Sequence, residues 1–230
     1  MVKLRDIALT YRLYILPIVY VTMIYGFLVA NNGIVWSDYL ILGLVSLSSH
    51  ILGFGFNDLV DLKYDKENPR HLRRSLFVRG EMSFKWHIII TLIQVPVLLF
   101  WAIVLNVSRE TMIIAALSIS AIMFYNVLGK KSGVLVLIVD LFFPLSMSLL
   151  FLTGYSLSAP LSELSIPVIL LAVSAFFGFF LGNSVLAGYR DICSDLDQGA
   201  SNFHGALGSQ SANLQISLSR SSRALSHGIY

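Results

Sequence analysis

The chain has 230 residues, 56% hydrophobic and only 13% charged, with a formal net charge of +3 and a mean hydropathy of +0.76. Soluble domains carry roughly 45–50% apolar and about 25% charged residues, so this composition excludes a soluble globular domain and calls for a lipid environment. A single cysteine, Cys193, excludes an intrachain disulfide and a thiolate metal cluster. With no Walker or dinucleotide fingerprint present, neither a nucleotide nor a nucleic acid is an expected partner.

Six stretches are apolar enough to cross the bilayer as helices of about 20 residues, near 13–30, 39–56, 87–105, 111–128, 134–153 and 166–188. The expected fold is an all-α, polytopic transmembrane bundle of six spans, because the stretches are too long and too continuously apolar for barrel strands. Lys3, Arg5 and Arg12 precede the first stretch as in a signal peptide. It lacks a small-x-small cleavage site and further spans follow closely, so it reads as a retained helix.

The second stretch runs into Asn57-Asp58-x-x-Asp61-x-x-x-Asp65, whose aspartates fall on one helical face at i, i+3 and i+7. Carboxylates gathered where membrane helices meet water are costly unless a cation neutralises them. Two of them about 6 Å apart repel by roughly 3 kcal/mol at an effective dielectric near 20. His50 lies on nearly the same stripe, where a structural hydrogen bond is the simpler expectation. Basic residues follow at Arg70, Arg73, Arg74 and Arg79, partly explained by lipid headgroups.

Lys130 and Lys131 follow the fourth stretch. Asp140 lies inside the fifth, roughly 9–10 Å along a helix from its start. It is expected to face the bundle interior, lining an acceptor pocket or taking a proton, with a buried structural acid as the equal alternative. Asn183, eight residues before Asp191, stands with His50 as a structural or substrate-facing polar group. Gly53, Gly55, Gly178 and Gly182 are expected to permit close helix packing. The sixth stretch ends in Arg190 and Asp191-x-x-x-Asp195, a second acidic pair at i and i+4.

Alternating crossings place 15 of the 16 basic residues on the side of the N-terminus and leave only Arg109 opposite. The positive-inside rule makes that side cytoplasmic, with both acidic motifs on it. Magnesium takes oxygen ligands, keeps several waters, and is commonly held by one or two carboxylates plus substrate phosphates. Two facing acidic helix ends suit Mg2+ and a diphosphate, with Asn57 adding a neutral oxygen. Arg70, Arg74, Lys130 and Arg190 are the basic donors for such a diphosphate. The apolar helices behind would house an isoprenoid tail and exclude water from a carbocation.

At these residues the chain resembles the UbiA-type intramembrane prenyltransferases. Asn57-Asp58-Leu59-Val60-Asp61-Leu62-Lys63-Tyr64-Asp65 matches the family's NDxxDxxxD signature, and Asp191-Ile192-Cys193-Ser194-Asp195 with Gly199 matches its DxxxDxxxG motif. Asn68, Arg74, Leu76, Gly80 and Ser83 resemble its intervening segment, with Ser75 where proline is common. Tyr125 and Lys130 resemble the tyrosine and lysine bounding the loop after the fourth helix. The resemblance implies that Asn57, Asp58, Asp61, Asp65, Asp191 and Asp195 bind magnesium and diphosphate. It also implies transfer of the prenyl group of a polyprenyl diphosphate to a lipophilic acceptor among the membrane lipids, with Arg74 and Tyr125 touching substrate.

The family normally carries nine spans, whereas here the apolar pattern stops after six. Residues 1–195 read as the bundle and 196–230 as a polar tail rich in Ser, Gly, Asn and Gln, the pattern of an abbreviated or frameshifted product. Two rivals stand beside the enzyme: a non-catalytic, isoprenoid-binding paralogue, and a divalent cation transporter using the same acids.

Overall fold

A computed structural model describes residues 3–30, 35–66, 72, 75–128 and 138–187. The described residues are helical with no strand: α1 (Leu4–Thr10), α2 (Leu16–Ala30), α3 (Trp36–Asp65), α4 (Phe84–Leu92), α5 (Gln94–Val104), α6 (Arg109–Leu128), α7 (Phe142–Ser156) and α8 (Ile166–Phe179). A short 3-10 turn (Leu161–Glu163) precedes α8, and a π-helical stretch (Phe180–Ala187) continues it.

Prolines and caps explain the boundaries. Pro17 lies in the first turn of α2, where its missing N–H costs nothing; farther into a helix its ring would strike the carbonyl four residues back. The expected span from residue 13 therefore becomes a turn at 11–15 followed by a helix from Leu16. Pro96 acts the same way on the third stretch, splitting it into α4, which ends at Leu92, and α5. Ser83 caps α4, its Oγ accepting from Trp86 N–H at 3.3 Å, and Ser108 starts α6 by accepting from Thr111 N–H at 3.2 Å.

Among the described residues, four helical segments have at least 18 residues and are apolar enough to cross a bilayer: Trp36–Lys63, Phe84–Val104, Arg109–Leu128 and Ile166–Asn183. The other two expected spans appear as shorter apolar helices, Leu16–Ala30 and Phe142–Ser156. At 15 residues each they rise about 22 Å, less than a hydrocarbon core of about 30 Å. In the fifth span a turn at Asp140 and Leu141 separates the helical residues 138–139 from α7.

The bundle is organised around α7, which packs against α2, α6 and α8. Small residues make this possible. A Cβ at Gly26 would collide with the backbone carbonyl of Phe151, and one at Gly154 with that of Met23. In lipid, helices associate through such close backbone approach and through hydroxyl-to-carbonyl bonds, since the tails are as apolar as leucine. Ser118 donates to Ser146 O (2.8 Å), Thr111 to Ser156 O (2.9 Å) and Ser148 to Ala172 O (2.8 Å). The apolar core lies where Val19 and Met23 meet Leu42, Met147 and Leu150. Large apolar side chains such as Ile18, Val21, Leu99, Ile103, Leu170 and Phe177 point outward, as lipid-facing positions do.

Candidate functional site

α3 runs 30 residues and carries its last turns past the apolar part of the helix. The acidic motif is therefore helical throughout. Asp58, Asp61 and Asp65 are 2%, 5% and 2% exposed, whereas Val60 and Lys63 on the opposite face are open. The one-face expectation holds: the i, i+3, i+7 spacing turns all three carboxylates inward. Asn57 flanks the stripe, half-buried.

Asp58 meets a cation from 46 residues earlier in the chain. Arg12 Nη2 donates to Asp58 Oδ1 at 2.7 Å, and the guanidinium lies 5.1 Å from the centroid of the Phe54 ring. The turn that delivers Arg12 is pinned on several sides. His50 Nε2 lies 2.9 Å from Tyr11 O and 3.2 Å from Arg12 O. A carbonyl only accepts, so Nε2 carries the proton and donates to both. Leu76 N–H donates to Thr10 Oγ1 at 3.0 Å.

Tyr11 and His87 complete the hold. His87 Nε2 donates to Gly55 O at 3.0 Å, which leaves Nδ1 to accept from the Tyr11 hydroxyl at 3.3 Å. Rings of Phe77, His87 and Tyr11 stack in sequence, with centroid separations of 4.1 and 5.5 Å. Burial, reinforced by the charge of Asp58, raises the Tyr11 pKa, so the hydroxyl stays neutral and serves as a donor. His50 thus has the structural role expected of it. Thr91 Oγ1 crowds the space a Cβ on Gly55 would need, so that glycine does permit close packing. At Gly178 and Gly182 a Cβ would meet nothing within 4 Å among the described residues.

A second group of candidates gathers where α6, α7 and the π-helical stretch meet. Asn183 Nδ2 donates to the Tyr125 hydroxyl at 3.2 Å, and the Tyr125 ring lies 5.6 Å from Phe143. Asn126 Nδ2 donates to Gly53 O at 3.1 Å, tying this group to α3 five residues before Asp58. Asp140 is buried as expected, but it sits in the turn before α7 rather than within a helix. Arg79 is turned to Glu81, donating at 2.6 and 3.0 Å and holding that carboxyl below its usual range.

Arg70, Arg74, Lys130, Arg190, Asp191 and Asp195 lie outside the described residues. Among the described residues, no three His, Cys, Asp or Glu side chains are grouped closely enough to hold a metal by themselves. The donor set on α3 is nevertheless all oxygen and acidic. It fits a hard divalent cation that draws remaining ligands from water, phosphate or a second helix. Sequence reasoning counted Arg12 only as a topogenic charge and passed over Tyr11, Phe77 and His87. The available signal was an arginine set between Tyr11, Leu13, Tyr14 and Ile15, an apolar setting in which a charge needs a partner.

A family model described as the UbiA prenyltransferase family matches residues 19–219. Among solved structures, the chain is similar to the apo structure of a UbiA homolog from Aeropyrum pernix K1, with 18% identity and a TM-score of 0.64. The alignment covers 92% of this chain and 73% of that one, and at this identity it speaks to the fold. No curated protein matches.

Proposed function

The chain belongs to the UbiA prenyltransferase family, and on that premise we propose that it transfers the prenyl group of a polyprenyl diphosphate to a lipophilic acceptor, with magnesium. Family membership and the apolar helices make it an integral, multi-pass membrane protein and a transferase at the family level. The observation that carries the finer reading is the stripe of three buried aspartates on α3.

In this reading Asp58, Asp61 and Asp65 hold Mg2+ from α3, with Asn57 beside them and Asp191 and Asp195 from the end of the sixth span. The metal, when bound, supplies positive charge that stabilises a departing diphosphate. Arg70, Arg74, Lys130 and Arg190 take the remaining phosphate oxygens as charge-assisted donors. Tyr125, fixed by Asn183, presents a ring face to the first carbons of the chain, where an allylic cation develops. The apolar side chains around it keep water from that cation. Asp140, buried at the foot of α7, lines the acceptor pocket or accepts the proton the acceptor loses.

The test is turnover of purified protein with prenyl diphosphates of several lengths and a panel of acceptors. Magnesium is expected to be required, and Asp61→Asn to lower turnover by roughly 100-fold or more while the melting temperature stays close to wild type. Undiminished product formation in chelator would remove this mechanism. Prenyl diphosphate binding without product would mark the chain as a non-catalytic binder, and divalent-ion flux in liposomes lacking isoprenoid would mark it as a transporter.

A further inference from the structure

The Arg12–Asp58 pair joins a turn of uncommon geometry to the first aspartate of the motif. Arg12 has φ of +52°, a left-handed conformation that a long side chain adopts rarely. Such a conformation persists only where its surroundings over-determine it, and it is a fair pointer to function. Here α3 supplies His50 to the Tyr11 and Arg12 carbonyls, Phe54 beneath the guanidinium and Asp58 in front of it. α4 supplies His87 to the Tyr11 hydroxyl, and the segment before α4 supplies Leu76 N–H to Thr10. Arg12 is thus held in place ahead of any ligand. It also lies before residue 19, where the family match begins.

We propose that Arg12 is a resident counter-cation for Asp58 which a divalent metal must displace, so that guanidinium and metal claim that carboxylate in turn. The inference rests on the reading of Asp58 as a metal ligand. A buried carboxylate needs a positive partner at every stage, and a guanidinium at 2.7 Å provides one when no metal is bound. The same guanidinium draws on the negative charge a metal would use and repels a cation arriving beside it. Metal affinity at Asp58 is therefore set below what the carboxylates alone would give. Once displaced, the guanidinium stays tethered by its turn and stacked near Phe54, so its planar fork is offered to the anion that accompanies the metal, a diphosphate.

The experiment is a manganese titration of the purified full chain without prenyl substrate, following free Mn2+ by electron paramagnetic resonance. Manganese accepts the oxygen donors magnesium does. Arg12→Gln is expected to bind Mn2+ roughly tenfold tighter than wild type, to melt at a lower temperature without metal, and to regain that loss when metal is added. Arg12→Lys keeps the charge but not the fork and is expected to fall between the two. In an Asp58→Asn background the Arg12→Gln effect on Mn2+ is expected to vanish. Should Arg12→Gln not fold, Arg12→Lys decides, and wild-type or weaker affinity in it overturns the proposal. If Asp58→Asn loses manganese but Arg12→Gln binds it no better than wild type, displacement is wrong while the metal reading stands. Equal uptake by wild type and Asp58→Asn would remove both.

Discussion

At the residue scale, the histidines show how much an identity conceals until packing is known. His87 is fully buried, donates to Gly55 O, accepts from Tyr11 and stacks on Phe77, so it ties α4 to α3 and to the N-terminal turn. His87→Ala removes two hydrogen bonds and a ring from a filled site, leaving Tyr11 and Gly55 without a partner for their bonds to it. The expected cost is about 2–4 kcal/mol, read as a lower melting temperature in detergent. An unchanged melting temperature would show that the pin carries no load. Asp58, Asp61 and Asp65 were legible because spacing alone puts them on one face, and a carboxylate at a membrane edge has few bland explanations. Arg12 was not, because the positive-inside bias accounts for an arginine there equally well. Its true setting depends on a turn that brings residue 12 against residue 58, and helical periodicity says nothing about such a contact.

Elements were legible to the extent that hydropathy determines them. The long apolar stretches became α3, the α4–α5 pair, α6 and the α8 region, and their interruptions follow prolines visible in the sequence. What hydropathy could not reveal is which glycines matter. Gly53, Gly55, Gly178 and Gly182 lie nearest the acidic motifs, yet the tightest approaches are Gly26 to the Phe151 carbonyl and Gly154 to the Met23 carbonyl, where α2 and α7 bring their backbones together. Two helices distant in sequence had to be packed together before these approaches could be seen. Gly26→Ala and Gly154→Ala each force a methyl into a backbone carbonyl and are expected to cost about 1–3 kcal/mol or more, since neither carbonyl can move independently of its helix. Gly178→Ala meets open space among the described residues and is expected to be neutral or to gain up to about 1 kcal/mol through helix propensity. Denaturant unfolding of the three variants in one detergent orders them. If Gly178→Ala were as damaging as Gly154→Ala, the α2–α7 crossing would not be the tight point of the bundle.

For the whole molecule, topology and convergence have different standing. The α6–α7 contacts pair Thr111 with Ser156 and Ser118 with Ser146, so these helices run antiparallel, as consecutive crossings must. α2 and α7 run parallel, with Val19 and Met23 clustered with Met147 and Leu150, and Val29 and Ala30 with Phe151 and Tyr155, as the first and fifth of the expected crossings should. The end of the bundle holding Asp58 also holds His87, Asn126 and the Tyr125–Asn183 pair. Basic residues had indicated the same arrangement by their one-sided distribution, because the rule counts charges and needs no packing. The approach of Asp191 and Asp195 to that end is another matter. Periodicity assigns each motif a face of its own helix, whereas the angle between two helices comes from packing. A labelling experiment addresses the part that topology controls. Cys193, between Asp191 and Asp195, is the chain's single cysteine, and Lys66 is exposed just past α3. A membrane-impermeant maleimide is expected to reach Cys193 in the wild-type chain, and Lys66→Cys in a Cys193→Ser background, only after cells are permeabilised. If one position labels in intact cells and the other does not, the two acidic motifs face opposite leaflets, and no diphosphate could bridge them.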